Sequence, residues 1–434
     1  MLTRLFFKLI VKTFYRDIEV KGFENLPSSS QAIFTPNHPN ALLDPLLLSF
    51  LPFEYQIHFV AKAPLFNIPL LGLLMRKIGA IPVIRRFEAD GEVDYSVFFN
   101  SCIESLSSGG SIAIFPEGAS LPQPRMSAIK TGAARLFLLA SEKNMNCPII
   151  PIGLNYEQGS IFRSRVVIWI ARSLKTDDVL EKYQDSPKDA VRELTVRMSK
   201  ALEESVFQSD NFLDRELMLY LERIYNDDKA SDSWLERLER LKQFEAGLNT
   251  LRDCCHTEIN RLRQMLSRHK NLANLLKNID CPSGDNRSPS AIRFLLALIG
   301  LPIAAIGVLL SFLPYRSCDY LVKHNKKYDM ASAATYKIAY SLFLFPVAFI
   351  VEAMILHMLF GWVVSVLFVV LIIPICYFTL YFMEWLYEGG WGIPVSFRKS
   401  RKTFQNGITH LLEEQNRDIK DLIDRLAARL DQQT

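Results

Sequence analysis

The chain has 434 residues, a formal net charge of +4, 22% charged residues and 49% hydrophobic ones. That length admits more than one folded unit, and so small a charge makes no electrostatic case for a nucleic-acid partner. The seven cysteines are an odd number without C-x-x-C spacing, and only Cys254 and Cys255 adjoin. They read as reduced thiols facing a cytosol, with no metal site. No glycine-rich loop of the nucleotide-binding kind is present, so nothing points to ATP use or to a bound cofactor.

Residues 1–16 place apolar side chains around Arg4, Lys8 and Lys12. They lack a small-residue cleavage site and are too short to span a bilayer, so they predict a helix lying in the membrane interface. Residues 18–22 alternate like a strand that opens a domain assigned to 17–186. Residues 32–35 form a short apolar strand delivering His38. Five residues separate His38 from Asp44, and on one continuous helix Asp44 would lie about 600° round from His38. The pair therefore needs a turn, which Pro39 and Asn40 favour. Leu42, Leu43, Leu46, Leu47 and Leu48 read as the buried side of the helix that follows. This puts His38 at a helix N-terminus, beside backbone N–H groups expected to be free for an anion.

A histidine with a nearby carboxylate is the minimum equipment for taking a proton from a hydroxyl, because the carboxylate fixes the ring tautomer and stabilises the imidazolium. The same pair alone is also a common structural contact, and the order of later segments adds to the case. Residues 78–86 read as a strand ending in Arg85 and Arg86. Residues 111–115 read as a strand delivering Pro116, Glu117 and Gly118. Residues 147–153 are a further apolar run, and 166–170 look like a last strand.

This set resembles the glycerolipid acyltransferase superfamily, whose four blocks look like 38–44, 79–85, 115–118 and 148–151, over about residues 17–175. Most members have four residues between His and Asp. The five found here, with FPEGASLPQPRMSAIKTGAARL over 115–136, resemble the glycerol-3-phosphate acyltransferase subgroup. The resemblance implies an α/β fold, a mixed sheet flanked by helices. It also implies His38 as general base oriented by Asp44, and backbone N–H groups of the His38 turn holding the oxyanion. Glu117, Gly118 and Ser120 would meet the acceptor, Glu117 through a glycerol hydroxyl. Arg85 would grip its phosphate. The Arg that many relatives carry directly after FPEG is absent, which makes Arg125 and Lys130 the local substitutes. The donor would be acyl-CoA or acyl-carrier protein, the acceptor glycerol 3-phosphate, and no metal or cofactor would be needed.

From 187 to 289 the chain turns to charged helix and a linker, expected as an appendage. Residues 290–384 carry the membrane segments. The run 291–314 is apolar apart from Arg293; it is long enough to span once, and Gly300, Pro302 and Gly307 would alternatively bend it into a re-entrant hairpin. Its positive flanks at 315–337 and 398–402 favour the same, since they then stay with the catalytic domain. The run 338–383 would extend roughly 69 Å as helix, about twice a hydrocarbon core, so it must fold back, near 357–361. Residues 385–434 form a tail whose Ile408, Leu411, Leu412, Ile419, Leu422, Ile423 and Leu426 recur at helical spacing. The expectation is an integral membrane O-acyltransferase of phospholipid biosynthesis, its site facing the cytoplasm. Two rivals are a lysophosphatidate or other lysophospholipid acyltransferase, and a non-catalytic membrane scaffold or lipid-transfer protein that keeps the fold.

Overall fold

The structure, a computed structural model, describes residues 2–28, 31–67, 71–84, 94–225, 233–251, 255–279, 291–324, 332–388, 414–415, 417–426 and 428. The chain forms two compact units. One comprises residues 1–222, 229–246 and 329–335, the other 223–228, 247–328 and 336–434.

The first unit is built on a seven-stranded mixed sheet in the order β1-β7-β6-β2-β5-β3-β4. Its strands are β1 (Asp17–Lys21), β2 (Ile33–Pro36), β3 (Ile57–Lys62), β4 (Ile81–Val83), β5 (Ser111–Ala113), β6 (Ile149–Tyr156) and β7 (Arg165–Ile170). Only the β6–β7 pair is antiparallel. β2 and β6 are buried along their whole lengths, which is why both read as unbroken apolar runs rather than alternation. β3 is a strand that the apolar pattern does not announce. His58 and Lys62 interrupt it, and His58 Nδ1 lies 2.9 Å from the carbonyl of Gly79, pinning the start of β4 against it. The strand expected over 78–86 is shorter than its pattern, and residues 85–93 lie outside the described residues.

Helices α1 (Leu2–Phe14), α2 (Leu43–Leu47), α3 (Leu71–Lys77), α4 (Ser96–Ser107), α5 (Gly132–Glu142), α6 (Asp177–Asp185) and α7 (Pro187–Ser205) accompany the sheet. The core joins Ile33, Ile112 and Ile149 of the strands to Cys102 and Leu106 of α4 and Leu136 and Phe137 of α5. Ala190, Leu194, Met198 and Leu202 of α7 complete it. The charge pattern assigned α7 to an appendage starting at 187, and the structure instead gives it to the core of the first unit. Its stripe recurs every four residues while its charges face water, and each buried leucine contributes about 1.5–3 kcal/mol. The close approach of α7 requires Gly153, where a Cβ would meet the Ser205 carbonyl oxygen at 2.1 Å.

α1 is two-faced. Phe7, Val11 and Phe14 are buried, while Leu2, Leu5, Phe6 and Leu9 are exposed. Arg4 donates to the carbonyls of Ser49, Leu51 and Pro52, so α1 caps the end of the helical segment that begins with α2. The remaining helices of the unit are α8 (Phe212–Tyr225), up to Glu222, and α9 (Trp234–Leu251), up to Ala246. They are held by buried ion pairs: Arg237 to Glu222 at 2.8 Å and to Glu157 at 3.2 Å, and Arg165 to Glu157 at 2.8 Å.

The second unit contains α10 (His256–Ile279), α11 (Ala291–Lys323), α12 (Ala333–Phe360) from Tyr336 onward, and α13 (Trp362–Glu388). Among the described residues three helices, Phe294–Lys323, Ala333–Phe360 and Trp362–Leu386, are long and apolar enough to cross a membrane. α11 runs unbroken through Pro302 and Pro314, where the sequence reading bent the chain into a hairpin. Its glycines serve packing instead. A Cβ at Gly300 would meet the Phe382 ring at 2.2 Å and one at Gly307 the Thr379 hydroxyl at 2.0 Å, so both permit α13 to lie close. The expected break at 357–361 is Gly361, at φ 83°. Ser365 Oγ reaches back across it to the Ala353 carbonyl at 2.9 Å. In the tail, Ile419, Leu422, Ile423 and Leu426 are buried, while Ile408, Leu411 and Leu412 lie outside the described residues.

Candidate active site

β2 and β5 are parallel neighbours at the middle of the sheet, so the segments leaving their C-terminal ends meet. β2 delivers His38, and β5 delivers the 115–118 turn. The Asn37 side chain extends the ladder beyond β2 by accepting from the Leu154 N–H at 2.6 Å and donating to the Leu154 carbonyl at 3.3 Å. That fixes the residue before His38 as firmly as strand pairing would. The imidazole stacks on Phe115, ring centroids 4.2 Å apart and planes at 28°.

His38 Nδ1 lies 2.8 Å from Asp44 Oδ2. A carboxylate only accepts, so Nδ1 carries the proton, and in the neutral ring the lone pair is on Nε2. Among the described residues Nε2 has no hydrogen-bond partner, and the His38 side chain is 16% exposed against 0% for Asp44. The pair is thus a partly exposed imidazole backed by a buried carboxylate. Asp44 also accepts from the Asn40 N–H at 2.7 Å and from the Tyr156 hydroxyl. The Asn40 side chain donates to Tyr15 Oη at 2.7 Å and to the Gly159 carbonyl at 2.8 Å. Tyr15 and Tyr156 were missed by the sequence reading. Their signal was a polar tip on side chains otherwise indistinguishable from core.

Glu117 is buried and accepts twice, from the His38 N–H at 2.6 Å and the Ser127 N–H at 2.9 Å. Burial holds its carboxyl above the usual range, against the lowering by those two N–H groups. Ser120 Oγ accepts from the Ala41 N–H at 2.7 Å. Both residues therefore tie the His38 loop to the 115–120 turn. Gly118 adopts φ 69°, and a Cβ there would meet Lys130 Nζ at 2.6 Å, so the ammonium lies directly over the turn. Arg125 is exposed, and its ion partner is Asp210 at 3.9 Å. Arg85 lies outside the described residues.

The oxyanion donors expected in the His38 turn are already engaged. His38 N–H goes to Glu117, Asn40 N–H to Asp44 and Ala41 N–H to Ser120. Leu42 N–H goes to Thr335 Oγ1 at 3.2 Å, and Leu43 N–H to the Asn40 carbonyl at 3.0 Å. The turn is not an open helix N-terminus, because Ala41 takes positive φ, at 42°, and folds the loop onto side chains of its own unit.

Residues 17–155 match the family described as Acyltransferase. This segment is an acyltransferase-family domain. It is 30% identical over 154 residues to a chloroplastic 1-acyl-sn-glycerol-3-phosphate acyltransferase of Arabidopsis thaliana, covering 35% of this chain and 40% of that protein. Similarity to glycerol-3-phosphate O-acyltransferase 2 of Saccharomyces cerevisiae is 32% over 119 residues, 27% of this chain and 16% of that protein. The glycerol-3-phosphate acyltransferase of Xylella fastidiosa strain M23 is 30% identical over 145 residues, 32% of this chain and 16% of its own length. The chain thus spans well under half the length of these relatives. The crystal structure of PlsC, a 1-acyl-sn-glycerophosphate acyltransferase from Thermotoga maritima, aligns over 43% of this chain and 79% of that one, at 20% identity and a TM-score of 0.31.

Proposed function

We propose that the protein transfers a fatty acyl group from acyl-CoA or acyl-carrier protein to the primary hydroxyl of glycerol 3-phosphate, at a membrane, with its site on the cytoplasmic face. The observation that carries this reading is His38, its Nδ1 held by buried Asp44 at 2.8 Å and its Nε2 unengaged and facing outward.

In this reading Nε2 takes the proton of the acceptor hydroxyl as its oxygen attacks the thioester carbonyl carbon. The C–S bond breaks as the carbonyl re-forms, and the leaving thiolate takes the proton from the imidazolium. No acyl-enzyme is required. Asp44 stabilises the imidazolium throughout. Glu117 and Ser120 hold the two loops in register, and Gly118 lets the acceptor approach the backbone. The acceptor phosphate falls to Lys130, which lies over that turn and has no carboxylate partner among the described residues, together with Arg85. The exposed apolar face of α1 and the three apolar helices keep the enzyme where its product partitions.

The test is acyl transfer by membranes containing the protein, with radiolabelled glycerol 3-phosphate or radiolabelled lysophosphatidate and either donor, beside a His38→Ala control. Label in lysophosphatidate that vanishes in the control supports the reading. The plant relative's name favours a second one, with lysophosphatidate as acceptor, and label only in phosphatidate would select it. No transfer with either acceptor and either donor would leave the scaffold.

A further inference from the structure

We infer that Tyr156 is a positioning residue for the His38–Asp44 pair, its hydroxyl setting how much charge Asp44 presents to the imidazole. The inference rests on the acyl-transfer reading above and deepens it.

Asp44 is wholly buried, and its carboxylate meets three donors. Oδ2 receives His38 Nδ1–H at 2.8 Å and the Asn40 N–H at 2.7 Å, whereas Oδ1 receives the Tyr156 hydroxyl. Tyr156 thus satisfies the oxygen that the His38 loop does not reach. A buried carboxylate oxygen without a donor is costly, and one with a donor has part of its charge drawn off. The ionisable groups whose fields reach this cluster are His38, Glu117, Tyr15 and Tyr156.

The phenol is itself held in place. It ends β6, its carbonyl accepts from Arg215 Nη2 at 3.0 Å, and its ring lies 5.5 Å from that of Tyr15. Tyr15 in turn donates to the Gly159 carbonyl at 2.8 Å and accepts from Asn40. Burial first, and then the charge of Asp44, pushes both phenols up. Each therefore stays an O–H donor across the working pH range. The whole arrangement lies behind the imidazole, out of reach of substrate, and acts only through Asp44.

Without the Tyr156 hydroxyl, Oδ1 loses its donor, more of the Asp44 charge falls on the imidazole, and the carboxylate is held through Oδ2 alone, by His38 and the Asn40 N–H. Imidazolium is then favoured more strongly, and the base is less well aimed. In the full-length protein in lipid nanodiscs, Tyr156→Phe should lower kcat roughly tenfold while the KM for glycerol 3-phosphate stays within about twofold. The acid limb of the kcat/KM profile should move to higher pH. The low-field Nδ1 proton of His38, assigned by its loss in His38→Ala, should move further downfield. Tyr15→Phe removes a hydroxyl one step further from Asp44 and should leave both the acid limb and that resonance in place.

A Tyr156→Phe protein with the wild-type acid limb and wild-type resonance overturns the inference. So does a pair of tyrosine variants that lower only thermal stability, and alike. The resonance is read without turnover, so it tests Tyr156 even if the wild-type protein acylates neither acceptor, the outcome that would instead refute the proposed reaction.

Discussion

At the scale of single residues, the carboxylates near His38 do different work from what their order along the chain suggests. Glu117 spends both oxygens on backbone N–H groups, so its first role is to hold His38 against the 115–118 turn. Burial raises its carboxyl, so between the usual glutamate value and that raised one the folded protein binds more protons than the unfolded chain, and stability falls as pH rises. Glu117→Gln does not titrate. The melting-temperature gap between wild type and variant should therefore narrow as the pH rises above the usual glutamate value, about 4, read by scanning calorimetry. Lys130→Ala should raise the KM for the phosphate-bearing acceptor about tenfold with kcat nearly unchanged, the signature of a lost charge-assisted contact. An unchanged KM would move the phosphate to Arg85 alone. His38 and Asp44 were legible because one short motif carries both. Tyr15 and Tyr156 were not, since they lie 141 residues apart in sequence and nothing local says that the end of α1 and the end of β6 bring one to Asn40 and the other to Asp44.

At the scale of elements, the strands that position the site were legible because they are buried on both faces and run apolar throughout. β3 was hidden by His58, which bonds the Gly79 carbonyl instead of facing solvent, and α7 by charges on its outer face. The ion pairs of Arg237 show why charge alone misled. A residue that is 7% exposed bridges two glutamates, and Arg237→Ala would leave both without that cation. That change should cost about 3–5 kcal/mol, measured by chemical denaturation of the detergent-solubilised protein. In α11, Gly307→Leu should lower the melting temperature through an overpacking cost of about 1–3 kcal/mol. Its exposed neighbour Val308 should accept leucine without effect. The reading of Gly300 and Gly307 as bends failed because glycine marks close packing between apolar helices as readily as it marks a turn.

At the scale of the whole molecule, residues 329–335 belong to the same compact unit as residues 1–222. Parts of one folded unit share one side of a membrane, so the chain between them makes an even number of crossings, zero included. A cysteine introduced at Ser332 should therefore react with an impermeant reagent from the same face as one at Lys188. Labelling from opposite faces would refute this. The same unit gives the Leu42 N–H its acceptor in Thr335, 293 residues later. At about 5–20 residues per second, the ribosome needs roughly 15 to 60 s to supply that hydroxyl after Leu42 is made. The loop bearing His38 thus stays unfinished until the first long apolar helix has been made. The 38–44 loop therefore takes its last hydrogen bond from a residue made after the first of the three apolar helices.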